Sequence, residues 1–307
     1  PRRWWTGALC LALTLASPAT TLHAGANPDA LAALQRGLKA LDRQDPRTAR
    51  VELMNAIKAD PSLAAARIAQ ARAQARALLM LGNGIAAQDE LDRAVALGAR
   101  AGSIRPLLAH AALLQGKPEH AVRQAASDPQ VRVLVFTAQG NENFSVGMDL
   151  KQIAERMADT PALEQLLDQR LRVLAMIESL EKPSIATLFG YCLGGGLELP
   201  LACHFRLAAD TGASIGLPEV ELGVVPAWGG TARLTRCVGR DQALDLMLRA
   251  RKIDGLEALK IGLVHSVHPL AQLKAAANAL ARELAAMPPL AVAGILRCVV
   301  GAGAASL

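Results

Sequence analysis

The feature that most constrains the fold is a change of character at Ser127-Asp128-Pro129. Upstream, from about residue 26 to residue 126, the chain is almost entirely helix formers with no convincing strand signal. Downstream, β-branched runs alternate with helical stretches. Residues 131–138 (VRVLVFTA) form a run typical of a buried strand, a helical pattern covers 161–180, and a second strand is predicted over 184–191. Shorter strands are predicted at 205–209 and 214–216, and helices at 241–250, 255–261 and 270–286. Alternation of this kind predicts an α/β layer architecture. At 307 residues the chain has room for about two domains. The expectation is therefore an all-α part followed by an α/β part.

Charge and cysteine usage narrow the function classes. The formal charge is +6 with a pI near 9.3, yet Lys and Arg are interleaved with Asp and Glu along Ala-rich helices. Aromatic residues are only 3% of the chain, so stacking platforms for nucleic-acid bases are scarce. A mild preference for anionic small molecules fits the charge as well. Cys10, Cys192, Cys203, Cys237 and Cys298 show no CxxC pair and no zinc spacing. Four of the five lie in apolar runs and read as small buried hydrophobes, which points to a reducing compartment. The N-terminus points the other way. A basic Pro1-Arg2-Arg3, an apolar run over 7–16 and a Leu22-His23-Ala24 cleavage pattern predict an export leader over 1–24. That run is too short to span a bilayer, and Pro18 follows it. None of the six histidines stands in a metal pattern, so no metal is expected.

Residues 25–126 contain a repeat. Gly37, Ala49, Leu53, Ala56 and Pro61 have the spacing of one helix–turn–helix unit of about 34 residues. Ala87, Leu91, Ala94 and Ala99 repeat its second half, and Gly116 with Ala121 begins a third. The region resembles a tetratricopeptide array, which implies a protein partner; a plain Ala-rich helical bundle is the alternative. Repeats bury their apolar faces on one another, so two and a half units are marginal without a neighbour.

Chemistry concentrates in residues 127–307. Two strand–turn–helix units end alike, in Phe144-Ser145-Val146-Gly147-Met148-Asp149 and in residues 193–198, where Gly194-Gly195-Gly196 precedes Leu197-Glu198. Each turn presents backbone N–H groups at the start of a helix, where negative charge is favoured. Asp149 is placed to cap the helix from Leu150. If the two turns lie side by side, one N–H from each converges on a single oxygen as an oxyanion hole. Glu198 and the Glu219 of Leu217-Pro218-Glu219 are the candidate acid–base pair, with Glu221 as a competitor for the second role.

Taken together, VRVLVFTA, FSVGMDL, KPSIATLFGYCLGGGLEL, IGLPEVELGVVPAWGGTARLTRCVG and ALKIGLVHSVHP make residues from about 128 to 301 resemble the crotonase, or enoyl-CoA hydratase/isomerase, superfamily. The resemblance implies a spiral of ββα units that binds acyl-CoA thioesters. It needs no metal and no cofactor beyond the coenzyme A carried by the substrate. It places the oxyanion-hole donors at Val146 and Gly195 and the acid–base carboxylates at Glu198 and Glu219. Ser145, Gly147, Met148, Asp149, Gly194, Gly196, Ala227 and Trp228 then line the substrate site. Keeping both glutamates points to addition of water to a trans-2-enoyl-CoA; a double-bond isomerase of this family commonly keeps only the second.

Some features depart from the family pattern. Pro226-Ala227-Trp228-Gly229-Gly230 replaces the usual Pro-Gly-Ala-Gly-Gly, so Ala227 takes a glycine's place and Trp228 adds bulk. Tyr191 and Cys192 are expected in the core, and His265 and His268 beside a strand. The family's domain normally starts earlier, with a hairpin and a helix, and continues past about residue 301 into helices that cover the acyl pocket and build a trimer. Open sheet edges and an uncovered apolar face are therefore expected here. Two readings follow: a cytoplasmic enoyl-CoA hydratase (or isomerase) with a helical appendage, and an exported repeat protein carrying an inactive crotonase remnant.

Overall fold

The computed structural model describes residues 8–12, 27–43, 45–138, 140–148 and 160–304. They fall into two compact units, one within residues 14–124 and one comprising 8–12 together with the chain from residue 125 onward.

The first unit is a run of helical hairpins: α1 (Pro28–Asp42), α2 (Pro46–Ala59), α3 (Ala64–Met80), α4 (Gly84–Ala96) and α5 (Ala101–Leu114), with α6 (Pro118–Ser127) carrying the chain onward. Their starts are written in the sequence. Side chains of Asn27, Asp45 and Asn83 accept from Asp29 N, Thr48 N and Ala86 N at 2.9, 3.1 and 3.1 Å. These caps satisfy amide groups that the first helical turn leaves without partners. Small residues then let the helices approach. A β-carbon at Gly37 would stand 2.8 Å from the Leu53 side chain, so α1 and α2 touch at that point. Ala49, Leu53 and Ala56 are fully buried, as are Ala87, Leu91 and Ala94 in the next hairpin, at the positions the repeat spacing singled out. A second cluster packs Leu79, Leu91, Ile104 and Ala111. Leu91→Ala removes the fully buried leucine of this cluster from among close-packed alanines, and is expected to cost about 2–5 kcal/mol, read as a lowered thermal midpoint.

The second unit is built on a five-stranded sheet with β1 (Ala8–Ala12), β2 (Leu134–Ala138), β3 (Ser184–Leu188), β5 (Phe205–Ala209) and β7 (Ser266–His268) in the order β1-β2-β3-β5-β7. β1 runs antiparallel to β2, and the other neighbours are parallel. Ala8–Ala12 lies inside the segment read from sequence as a leader, and here it takes up the β2 edge that was expected to be open. The leader's cleavage pattern at residues 22–24 lies outside the described residues. β2 is shorter than its β-branched run, because residues 131–133 do not join the sheet. α7 (Thr160–Glu178) precedes β3, and α12 (Leu270–Ala286) lays Leu273, Ala277, Ala281 and Ala285, four apart, against the sheet.

The strand predicted over 184–191 is in fact two. Gly190 has φ 54°, and a β-carbon there would meet the Glu142 carbonyl oxygen at 1.7 Å. The chain turns at this glycine and leaves the main sheet. β4 (Tyr191–Leu193) then pairs with β6 (Ser214–Gly216) in a separate two-stranded parallel sheet. α8 (Gly195–Ala202) follows β4, and a 3₁₀ turn (Glu219–Leu222) follows β6. α9 (Gly230–Val238), α10 (Arg240–Leu248), α11 (Gly255–Lys260) and α13 (Pro289–Ala304) complete the unit. No single helix among the described residues is long and apolar enough to cross a membrane; α12 with part of α13 passes that test only as a pair bent by 108°.

Candidate active site

The small sheet aligns the predicted site. Ser145 joins β4 by a parallel bridge to Cys192, donating its N–H to Tyr191 O at 2.9 Å and accepting from Leu193 N at 3.0 Å. On the opposite side, Gly194 N donates to Gly216 O at 3.0 Å. The first turn, the glycine turn and the end of β6 therefore lie in a row. Val146 leaves the first, Gly195 the second and Glu219 the third. Ser145 Oγ accepts from Gly147 N at 3.2 Å and fixes the first turn.

Contact between the turns is intimate. A β-carbon at Gly147 would lie 3.1 Å from Gly195 N, and one at Gly196 would lie 2.3 Å from Ser145 O. Gly194 sits at φ 56°, a conformation that costs a glycine little. Leu197 N and Glu198 N both turn back to Gly194 O, at 2.8 and 3.2 Å. Neither Val146 N–H nor Gly195 N–H donates to another described residue. Val146 is 64% exposed, and Gly195 is half-buried.

Glu198 is buried, with 1% of its surface exposed, which excludes a solvated helix-start charge. Its Oε1 accepts from Trp228 N and Gly230 N, both at 2.8 Å. Burial pushes its carboxyl above the ordinary range, while those two N–H groups and the positive charge of Arg233 pull it back. Glu219 lies across the glycine turn, its Oε1 3.1 Å from where a β-carbon of Gly194 would stand. Its Oε2 is buried with no hydrogen-bond partner among the described residues. Burial first, and then the charge of Glu198, push it up to about 7, opposed by its own backbone N–H. The competitor Glu221 is exposed and pairs with Lys252 at 3.4 Å, so it is not part of this pair.

Glu219 binds its proton more tightly folded than unfolded. Its contribution to stability is therefore complete below the ordinary value of 4.5 and lost as pH rises through about 7. Glu198 shifts in the same direction. The thermal midpoint is expected to fall between about pH 5 and about pH 8, and Glu219→Gln to flatten that fall.

Trp228 packs into this site, 6% exposed. A β-carbon at Gly195 would overlap its six-membered ring at 2.0 Å, and Arg170 lies over the ring 4.8 Å from its centroid. The expected bulk is therefore against the glycine turn, whereas Ala227 faces solvent. Tyr191 was expected in the core and is half exposed, because β4 is a short strand of a two-stranded sheet; its neighbour Cys192 is fully buried. Cys203 is also buried, Cys237 half-buried and Cys298 exposed. Met148 ends the described first turn, and Asp149 with its predicted helix lies outside the described residues. The sequence reading missed Arg233 and Glu178, the pair behind the Trp228 turn. Only the two arginines, Arg233 and Arg236, on the short helix that follows Gly229 could have signalled it.

Comparisons with known proteins place the chain in a family. The profile of the enoyl-CoA hydratase/isomerase family matches residues 118–301, beginning within α6, ahead of the boundary read from sequence. The alpha subunit of a fatty acid oxidation complex from Shewanella sp. (strain W3-18-1) is 44% identical over 146 residues, covering 47% of this chain and 20% of that protein. The chain thus spans only a fraction of the length of the curated relatives it matches. Among solved structures, Pseudomonas aeruginosa DspI superposes with a TM-score of 0.57 at 33% identity, covering 61% of this chain and 77% of that one. An enoyl-CoA hydratase from Bacillus anthracis gives 0.57 at 35% identity, covering 61% and 71%. With more than half its length matched and the two glycine-lined turns side by side, the chain belongs to the enoyl-CoA hydratase/isomerase family.

Proposed function

We propose that the chain adds water across the double bond of a trans-2-enoyl-CoA. The observation that carries this reading is the pairing of two N–H groups that donate to no other described residue, Val146 and Gly195, with two carboxylates set beside the glycine turn, Glu198 and Glu219. An enoyl thioester is electrophilic at its β-carbon, and its carbonyl oxygen gains negative charge as a nucleophile adds. The two N–H groups stabilise that charge where it develops. Glu198, whose carboxyl is pushed up by burial while two N–H groups and Arg233 support its ionised form, takes a proton from water in that form as the oxygen bonds to the β-carbon. Glu219, its carboxyl pushed up to about 7, gives its proton to the α-carbon from its protonated form. Water is added in sum, and the proton on Glu198 returns to Glu219 through the next water molecule. On this reading the working enzyme is cytoplasmic, where acyl-CoA is found, and residues 25–126 are a tetratricopeptide-like appendage.

The test offers the full chain trans-2-butenoyl-CoA and, separately, a trans-3-enoyl-CoA. Loss of the conjugated absorbance with formation of 3-hydroxyacyl-CoA from the first supports hydration. Conversion of the second alone into the conjugated ester contradicts it and assigns isomerisation.

A further inference from the structure

Behind Glu198 stands a chain of ion pairs centred on Arg233, whose charge also favours the ionised Glu198. Arg233 lies in the first turn of α9 and is 8% exposed. Its Nη1 donates to Trp228 O at 2.6 Å, and its Nε and Nη2 donate to Glu178 Oε2 at 2.9 and 2.8 Å. Glu178 is the last residue of α7, and its other oxygen accepts from Arg236 Nη2 at 2.8 Å. His204 Nε2 lies 3.2 Å from the Glu178 carbonyl, which anchors the end of α7. A β-carbon at Gly229 would stand 2.5 Å from Arg233 Nη1, so the guanidinium rests directly on the turn.

The carbonyl that Arg233 grips lies between the two peptide N–H groups that converge on Glu198 Oε1. A buried guanidinium is costly to desolvate, and that cost is offset only where its donors are well matched. Here all three named donors go to two acceptors, one on the turn and one on α7. The structure assigns Arg233, clamped by Glu178, as a positioning residue for Glu198: it fixes the orientation of the 226–230 turn so that both N–H groups hold one carboxylate oxygen in place. This inference rests on the hydratase reading of the same site.

The experiment compares Arg233→Met, Arg233→Lys and Glu178→Gln in the full chain, with trans-2-butenoyl-CoA as the probe. Misplacing a reacting group by about 1 Å costs on the order of 100-fold in rate, so Arg233→Met is expected to lower kcat by about that factor with KM little changed. Loss of the cation also moves the acid limb of the kcat profile to higher pH, because the ionised form of Glu198 loses support. Arg233→Lys keeps the charge but not the fork, so kcat falls while the acid limb stays in place. Glu178→Gln lowers kcat in the same direction by a smaller factor, and it decides the matter should Arg233→Met not fold. Unchanged kcat in Glu178→Gln and Arg233→Lys, or a lowered thermal midpoint in Arg233→Met with kcat and the acid limb unmoved, overturns the inference while leaving the hydratase reading intact. A wild-type chain that hydrates nothing overturns both.

Discussion

Glu198→Gln and Glu219→Gln are each expected to lower hydration of trans-2-butenoyl-CoA by about 10²–10⁴-fold, the usual worth of a general acid or base. The amide is a fair replacement at Glu198. Its oxygen still accepts from Trp228 N and Gly230 N, so the turn keeps its partners while the base is lost. At Glu219 the amide removes the exchangeable proton at a carboxyl whose Oε2 has no protein partner among the described residues to lose. Both variants should still bind a saturated acyl-CoA, since neither change touches the Val146 or Gly195 N–H. Turnover unchanged in either variant refutes the role given to that residue. The wild-type rate should also decline as pH rises through about 7, where Glu219 gives up its proton.

Gly196→Ala is expected to lower the rate by about 10²–10³-fold, as if one oxyanion donor were removed. The added β-carbon would meet Ser145 O at 2.3 Å and Ser145 Cβ at 2.9 Å, and the nearer atom is backbone that cannot swing aside. Relief comes only by parting the first turn from the glycine turn, which separates Val146 N–H from Gly195 N–H. Gly294→Ala serves as a control, because nothing lies within 4 Å of a β-carbon there. A Gly196→Ala enzyme with the wild-type rate would show that the two N–H groups do not act together.

Much of this site can be seen in the sequence, for physical reasons that differ by residue. A triple glycine entering a helix, and a carboxylate behind Leu217-Pro218, are local signals, and local signals survive without knowledge of the fold. The helical repeat is legible in the same way, since Ala49, Leu53 and Ala56 share one face of α2 and all three are fully buried. What could not be read depends on distant partners. Gly190 ends a strand because Glu142 O lies where its β-carbon would be, and 48 residues separate the two. Tyr191 looks like core by composition, and its exposure follows from the two-stranded sheet that this break creates. The Arg233–Glu178 clamp joins residues 55 apart, so no window of sequence contains it.

The most direct test of the account is a single incubation of the full chain with trans-2-butenoyl-CoA in water enriched in ¹⁸O, followed by mass analysis of the ester. The account predicts 3-hydroxybutyryl-CoA carrying the heavy oxygen on its β-carbon, formed by the wild-type chain and not by the Glu198→Gln, Glu219→Gln double variant. Recovery of the enoyl ester unchanged, or equal labelling by the wild type and the double variant, would contradict it.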